Sequence, residues 1–259
     1  MSVGLATAAT LLGAVVGALA GRAAPALTRR FPATVREPAD PDGYAARHDP
    51  AATRAGADRS AEGHGRAAVD GPRGGPSGAD RAWPLGVSGA AGVIGAVVFG
   101  GLTATLGPDP ALPAFLLMAA GGLVLAVVDL ACRRLPDPLV AATAVAGGTG
   151  LVVAALVAGT PGRLGAALAG AALSLAGYVA LALLPGSRLG FGDVKLAAAV
   201  GLPLGWLGWP ALGLGLLLPH LLQGVVVLAL LAARRVRRDT ALPFGPAILA
   251  GAWLAVLLA

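Results

Sequence analysis

Eight stretches of this chain are long, apolar and almost free of charge, and that feature decides most of what it can fold into. They cover residues 3–21, 85–106, 111–132, 138–158, 163–184, 194–209, 210–232 and 241–259. A helix needs about 20 mostly apolar residues to cross the hydrocarbon layer, where only helices and closed barrels satisfy every backbone polar group. The pattern predicts an all-α fold, a polytopic membrane helix bundle of about eight transmembrane helices. Residues 194–232 make one run too long for a single span, and Pro210 is the expected break. Composition agrees: charged residues are 12% of the chain, half the ~25% of a soluble domain. Forty glycines suit helices whose backbones approach closely in lipid. A single cysteine, Cys132, excludes an internal disulfide framework and any multi-cysteine zinc site.

Three regions follow: a first transmembrane helix at 1–21, a polar insert at 22–84 and a membrane core at 85–259. The insert is rich in Ala, Gly, Arg, Asp and Pro, with Phe31 and Tyr44 but almost no aliphatic cluster. It cannot bury enough apolar surface to offset its ordering entropy, so disorder is expected there. A secretory signal peptide is the rival reading of residues 1–21, favoured by Ala18-Leu19-Ala20 before Gly21. The run lacks a positive segment ahead of it, so an uncleaved helix is expected.

The net charge is +6, yet a nucleic-acid partner does not follow. Ten of the 19 Lys and Arg lie in the insert beside eight of the 13 acids. The other bases sit in short clusters between apolar runs, as in cytoplasmic loops. Arg133, Arg134, Arg188, Lys195, Arg234, Arg235, Arg237 and Arg238 fall on one side, against Arg163 alone on the other. That side, with the insert, is expected to be cytoplasmic and the N-terminus outside. Arg234 to Arg238 also suit anionic lipid headgroups.

Outside the insert only five carboxylates remain: Asp109, Asp129, Asp137, Asp193 and Asp239. Asp109, in Gly107-Pro108-Asp109-Pro110, and Asp239 read as turn or loop acids. Asp137 before Pro138 reads as a helix N-cap with proline at the first helical position. Asp129 interrupts Leu123-Val124-Leu125-Ala126-Val127-Val128 near the inner end of the third span, where a charge is expensive. Its bland explanation is an i,i+4 pair with Arg133. Asp193 opens the sixth span after Gly190-Phe191-Gly192; capping explains it on its own, while the glycines admit close approach by another chain. Alternating spans bring Asp129 and Asp193 to the same depth near the cytoplasmic boundary. Two facing carboxyls cannot both ionise cheaply, so one keeps a proton while the other activates water. Helix ends add a bias, with Asp193 at an N-terminus and Asp129 near a C-terminus.

These residues resemble the prepilin peptidases (type IV leader peptidases). Asp129 through Leu135-Pro136-Asp137 resembles the family's first aspartate element, Gly190-Phe191-Gly192-Asp193-Val194-Lys195-Leu196 its GxGD signature, and Leu242-Pro243-Phe244-Gly245-Pro246 the element opening its last helix. The likeness covers about residues 85–259, with a looser echo in the glycine-rich Gly13–Gly21. It implies an aspartic endopeptidase that removes the basic leader from pilin-like precursors, just before their hydrophobic helix, with Asp129 and Asp193 as the catalytic pair. Gly190, Gly192, Lys195, Asp137, Pro243, Phe244, Gly245 and Pro246 are then supporting or substrate-binding residues. No metal or cofactor is implied, and the expected partners are pilin-like precursors and membrane lipid. Many family members also methylate the new terminus and carry paired CxxC motifs after the first helix. Residues 22–84 hold no cysteine, so that zinc site cannot form here and a peptidase without the methyltransferase module is expected. His48 and His64 in the insert then read as solvated.

Lys195 is either an interface cation or a steadying partner for Asp193. His220 after Pro219 reads as a helix-to-helix hydrogen bond. Pro243 through Pro246 predicts irregular backbone at membrane depth, which lipid does not tolerate without protein or water beside it. Two other classes compete: a proton- or cation-coupled transporter using paired acids, and a structural assembly subunit whose acids merely cap helices. The absence of an internal repeat and the position of both acids near one face argue against the transporter.

Overall fold

The computed structural model describes residues 3–30, 85–187, 189–237, 240 and 242–259, all within one contact unit. Among them are eight helices and no strand: α1 Val3–Arg30, α2 Leu85–Leu106, α3 Leu112–Cys132, α4 Asp137–Ala158, α5 Gly162–Ala182, α6 Phe191–Leu207, α7 Trp209–Ala232 and α8 Gly245–Leu258. Each corresponds to one apolar run of the sequence. Six are long and apolar enough to cross a membrane, namely α1 to α5 and α7. Their lengths fit a polytopic bundle. Helix α6, at 17 residues, and α8, at 14, are shorter.

Two boundaries differ from the sequence reading. Helix α1 continues to Arg30, so residues 22–30 are helical and do not belong to the insert. The polar boundary at Arg22 marks where apolar character stops, whereas Ala and Arg keep helix propensity beyond it. Residues 31–84, including Phe31, Tyr44, His48 and His64, lie outside the described residues, as do Arg188, Arg238 and Asp239. The break in 194–232 falls at Gly208, not Pro210. Gly208 takes φ +115°, a conformation that side chains resist, and Pro210 sits in the first turn of α7, where its missing N–H costs nothing.

Local chemistry sets the other helix ends. Proline occupies the first turn of α3, α4, α7 and α8. Small residues set the helix spacing. A Cβ on Gly13 would collide with the Gly95 carbonyl, and one on Gly17 with that of Ala91, so α1 and α2 touch backbone to backbone. Gly170, Gly201 and Gly205 do the same for α5 and α6. Hydroxyls within spans turn onto their own helix: Thr103 donates to the Phe99 carbonyl and Thr143 to that of Leu139, each at 2.8 Å. Each of these two hydroxyls is thereby satisfied without leaving its span.

Successive helices alternate in direction, giving the bundle two distinct ends. At one, Leu102, Phe115, Leu151, Ala167, Trp206, Leu212 and Val256 share an apolar core. At the other, Leu125, Val140, Tyr178, Val194, Leu196 and Ile248 form a second. The turns after α3, α5 and α7 all open on this second end, and the chemistry-bearing residues lie there.

Candidate active site

Asp129 is the fourth residue from the end of α3 and is 4% exposed. Its Oδ2 accepts a 3.0 Å hydrogen bond from the Gly245 backbone N–H, the first residue of α8. An amide in the first turn of a helix has no partner inside it, and the helix dipole favours an anion there. The element Pro243-Phe244-Gly245-Pro246 therefore delivers an unused donor to a buried carboxyl. Gly245 leaves room for this contact: a Cβ there would lie 2.7 Å from Asp129 Oδ2 and force the carboxyl to shift. Asp129 thus faces a second helix N-terminus as well as its own C-terminus, and the helix-end bias read from sequence was incomplete.

The pairing with Arg133 that would have explained Asp129 blandly is absent among the described residues. Arg133 caps α3 in the left-handed conformation, φ 52°, and its N–H donates to the Asp129 carbonyl at 2.8 Å. Its side chain is exposed. This turn carries the chain to Leu135, whose Cβ would sit 3.0 Å from a Cβ on Gly192. Gly192 thereby lets the Asp129 turn and the Asp193 turn approach.

Asp193 is half-buried at the third position of α6. The cap of that helix is Gly190, extended at φ −77° and ψ 145°, so Asp193 is not the N-cap that capping chemistry suggested. Its carboxyl folds back over the cap: a Cβ on Gly190 would meet Oδ2 at 3.5 Å, an ordinary contact. Asp193 thus sits on the turn that Leu135, six residues after Asp129, packs against through Gly192.

Lys195 does not steady Asp193. Its Nζ donates to Asp137 Oδ2 at 2.6 Å, with both side chains about half exposed. Asp137 is the first residue of α4, and Pro136 occupies the cap position; its carboxylate is engaged by Lys195 and does not cap the helix. The pair ties the start of α6, which carries Asp193, to the segment that follows Asp129.

His220 bonds within its own helix, Nδ1 to the Leu216 carbonyl at 2.9 Å, and not across helices. Its ring packs instead against Tyr178 of α5 and Phe244, with centroids 5.5 and 5.4 Å away, and Tyr178 lies 6.3 Å from Phe244. Sequence reasoning passed over Tyr178. The one available signal was a phenol within an Ala, Gly, Leu and Val span. An apolar cavity of about 520 Å³ lies between α2, α3, α6 and α8; Leu130, Leu196 and Pro246 are among its lining residues, and neither acid is.

Residues 115–234 match the type IV leader peptidase family, a range holding both Asp129 and Asp193. Over that range the chain is similar to the type IV leader peptidases. Curated members resemble it over parts of their length, each named prepilin leader peptidase/N-methyltransferase. The Aeromonas salmonicida (strain A449) protein is 40% identical over 81 residues, 31% of this chain and 27% of the relative. That of Burkholderia pseudomallei (strain K96243) is 35% identical over 165 residues, 61% and 50% respectively. The Pseudomonas aeruginosa protein is 32% identical over 155 residues, 56% and 49%. The chain thus spans between about a quarter and a half of the length of these family members. No solved structure matches it.

Proposed function

We propose that this chain is a membrane aspartic endopeptidase that removes the basic leader from type IV pilin-like precursors, using Asp129, Asp193 and a water molecule. The observation that carries this reading is the pair itself: two acids 64 positions apart reach one end of the bundle, one of them almost wholly enclosed. Facing carboxyls are cheapest when they hold one proton between them. The ionised member takes a proton from water as its oxygen attacks the scissile carbonyl, and the protonated member gives its proton to the carbonyl oxygen. Collapse of the adduct breaks the C–N bond: the amine leaves with a proton from the first carboxyl, while the second carboxylate takes back a hydroxyl proton as the carbonyl re-forms, which restores the singly protonated pair. Lys195 with Asp137, and Gly192 against Leu135, hold the two acid-bearing turns together; Gly245 holds Asp129.

The apolar cavity beside Leu130 and Pro246 receives side chains of the precursor's hydrophobic segment, with the scissile bond at its Asp129 end. In this reading the end faces the cytoplasm from the inner membrane, where a positively charged leader remains; the basic residues of its turns support that orientation. The methyltransferase half of the relatives' name is not carried over, since residues 22–84 lack cysteine.

The test is co-expression with a precursor carrying a basic leader, a glycine and an apolar helix. Asp129→Asn and Asp193→Asn should each abolish the faster-migrating product while membrane levels stay unchanged. Normal processing by either variant overturns the reading.

A further inference from the structure

Tyr178 is 1% exposed, and its hydroxyl has no hydrogen-bond partner among the described residues. Buried phenols normally find one, because leaving a hydroxyl unpaired forfeits its hydration for nothing. Its position narrows what that partner is. The ring stands in the core cluster that holds Val194, with Leu135, Leu189 and Phe244 packed on it. Those residues border the Asp193 turn on one side and Gly245, the donor to Asp129, on the other. The Asp193 carboxyl does not supply the missing partner. Phe244, whose ring lies 6.3 Å from the phenol, immediately precedes Gly245, whose amide holds Asp129, so the phenol stands beside the segment that clasps the buried acid.

Building on the peptidase reading above, we propose that Tyr178 is a further catalytic residue of this site, its hydroxyl donating a hydrogen bond to the carbonyl oxygen of the scissile peptide. As water adds to the carbonyl carbon, the π pair moves onto that oxygen, and the O–H donor stabilises the growing negative charge. The phenol keeps its proton throughout; the proton that ends on the oxygen comes from the acid pair. A fixed donor in an enclosed site acts on the transition state more than on the bound ground state. The rings of His220 and Phe244 set the direction of the phenol, which explains why an aromatic, and not a serine, stands here.

Tyr178→Phe isolates the hydroxyl, since all three ring contacts survive. Precursor cleavage by the purified full chain in detergent should show kcat reduced about 10- to 100-fold with KM within about threefold, and an unchanged melting temperature. A kcat loss smaller than tenfold overturns the proposal, whatever happens to KM. A lowered melting temperature in Tyr178→Phe also overturns it, because the hydroxyl would then be structural. Tyr178→Leu, which removes the ring too, should lose more kcat than Tyr178→Phe; an equal or smaller loss overturns the orienting part. If Asp129→Asn and Asp193→Asn are inactive while Tyr178→Phe is not impaired, only this inference fails. If the Asp variants retain cleavage, the peptidase reading itself fails.

Discussion

Asp109 at one end of the bundle and Asp129 at the other both sit beside a turn, and the protein treats them in opposite ways. Asp109 Oδ1 accepts the Ala111 N–H at 2.7 Å, and Arg163 stands 3.9 Å from its other oxygen. The Arg163 guanidinium also lies 5.2 Å from the Trp206 ring centre. Asp129 is enclosed, has no counter-cation among the described residues, and receives a single backbone amide. A carboxylate with a cation and a local turn amide is a structural feature. One that is buried without a cation strains its surroundings, and such groups persist where chemistry needs them.

The sharpest way to break this contrast is to neutralise both ends. Asp129→Asn and Asp193→Asn should lower precursor cleavage by at least about a thousandfold, as loss of a member of a concerted catalytic unit does; Asp109→Asn should leave it within about twofold. Comparable losses from all three in a quantitative cleavage assay would erase the distinction.

Next in size is Gly245→Ala, which pushes a methyl into Asp129. A displacement of the carboxyl by about 1 Å should cost about a hundredfold in kcat/KM. Gly213→Ala, where nothing stands within 4 Å of the new Cβ, serves as the neutral comparison and should keep full activity.

Lys195→Met should reduce cleavage by two- to fivefold, in line with about 1 kcal/mol or less for a half-exposed ion pair. The swapped pair Lys195→Asp with Asp137→Lys should recover part of that loss, and high salt should shrink the difference between parent and Lys195→Met. Smallest of all, Arg163→Ala should lower the melting temperature by no more than about 4 °C and leave cleavage unchanged.

The two ends also differ in how readable they are from sequence. All eight helices were legible because an apolar run in lipid leaves the backbone no alternative to a helix. Their ends were less so. The break at Gly208 hid behind the more conspicuous Pro210, and α1 outran its apolar stretch because helix propensity and hydropathy are separate properties. Asp129 and Asp193 stood out for the reason that makes them costly, an acid amid aliphatics. Their partners did not. Lys195 sits two residues from Asp193, and sequence proximity suggested that pairing, yet one helix turn directs it to Asp137, 58 positions away. The Gly245 amide belongs to the backbone, so no residue type advertises it. Tyr178 was invisible because a lone aromatic in a span resembles packing.

The amide that holds Asp129 comes from residue 245, beyond the 115–234 range that matches the family. A shortened polypeptide ending at Ala232 would retain both acids, the Lys195–Asp137 tether and the phenol, and still forfeit the clasp on its more deeply enclosed carboxyl. On the peptidase reading proposed above, the smallest competent polypeptide therefore extends at least through the first turn of α8.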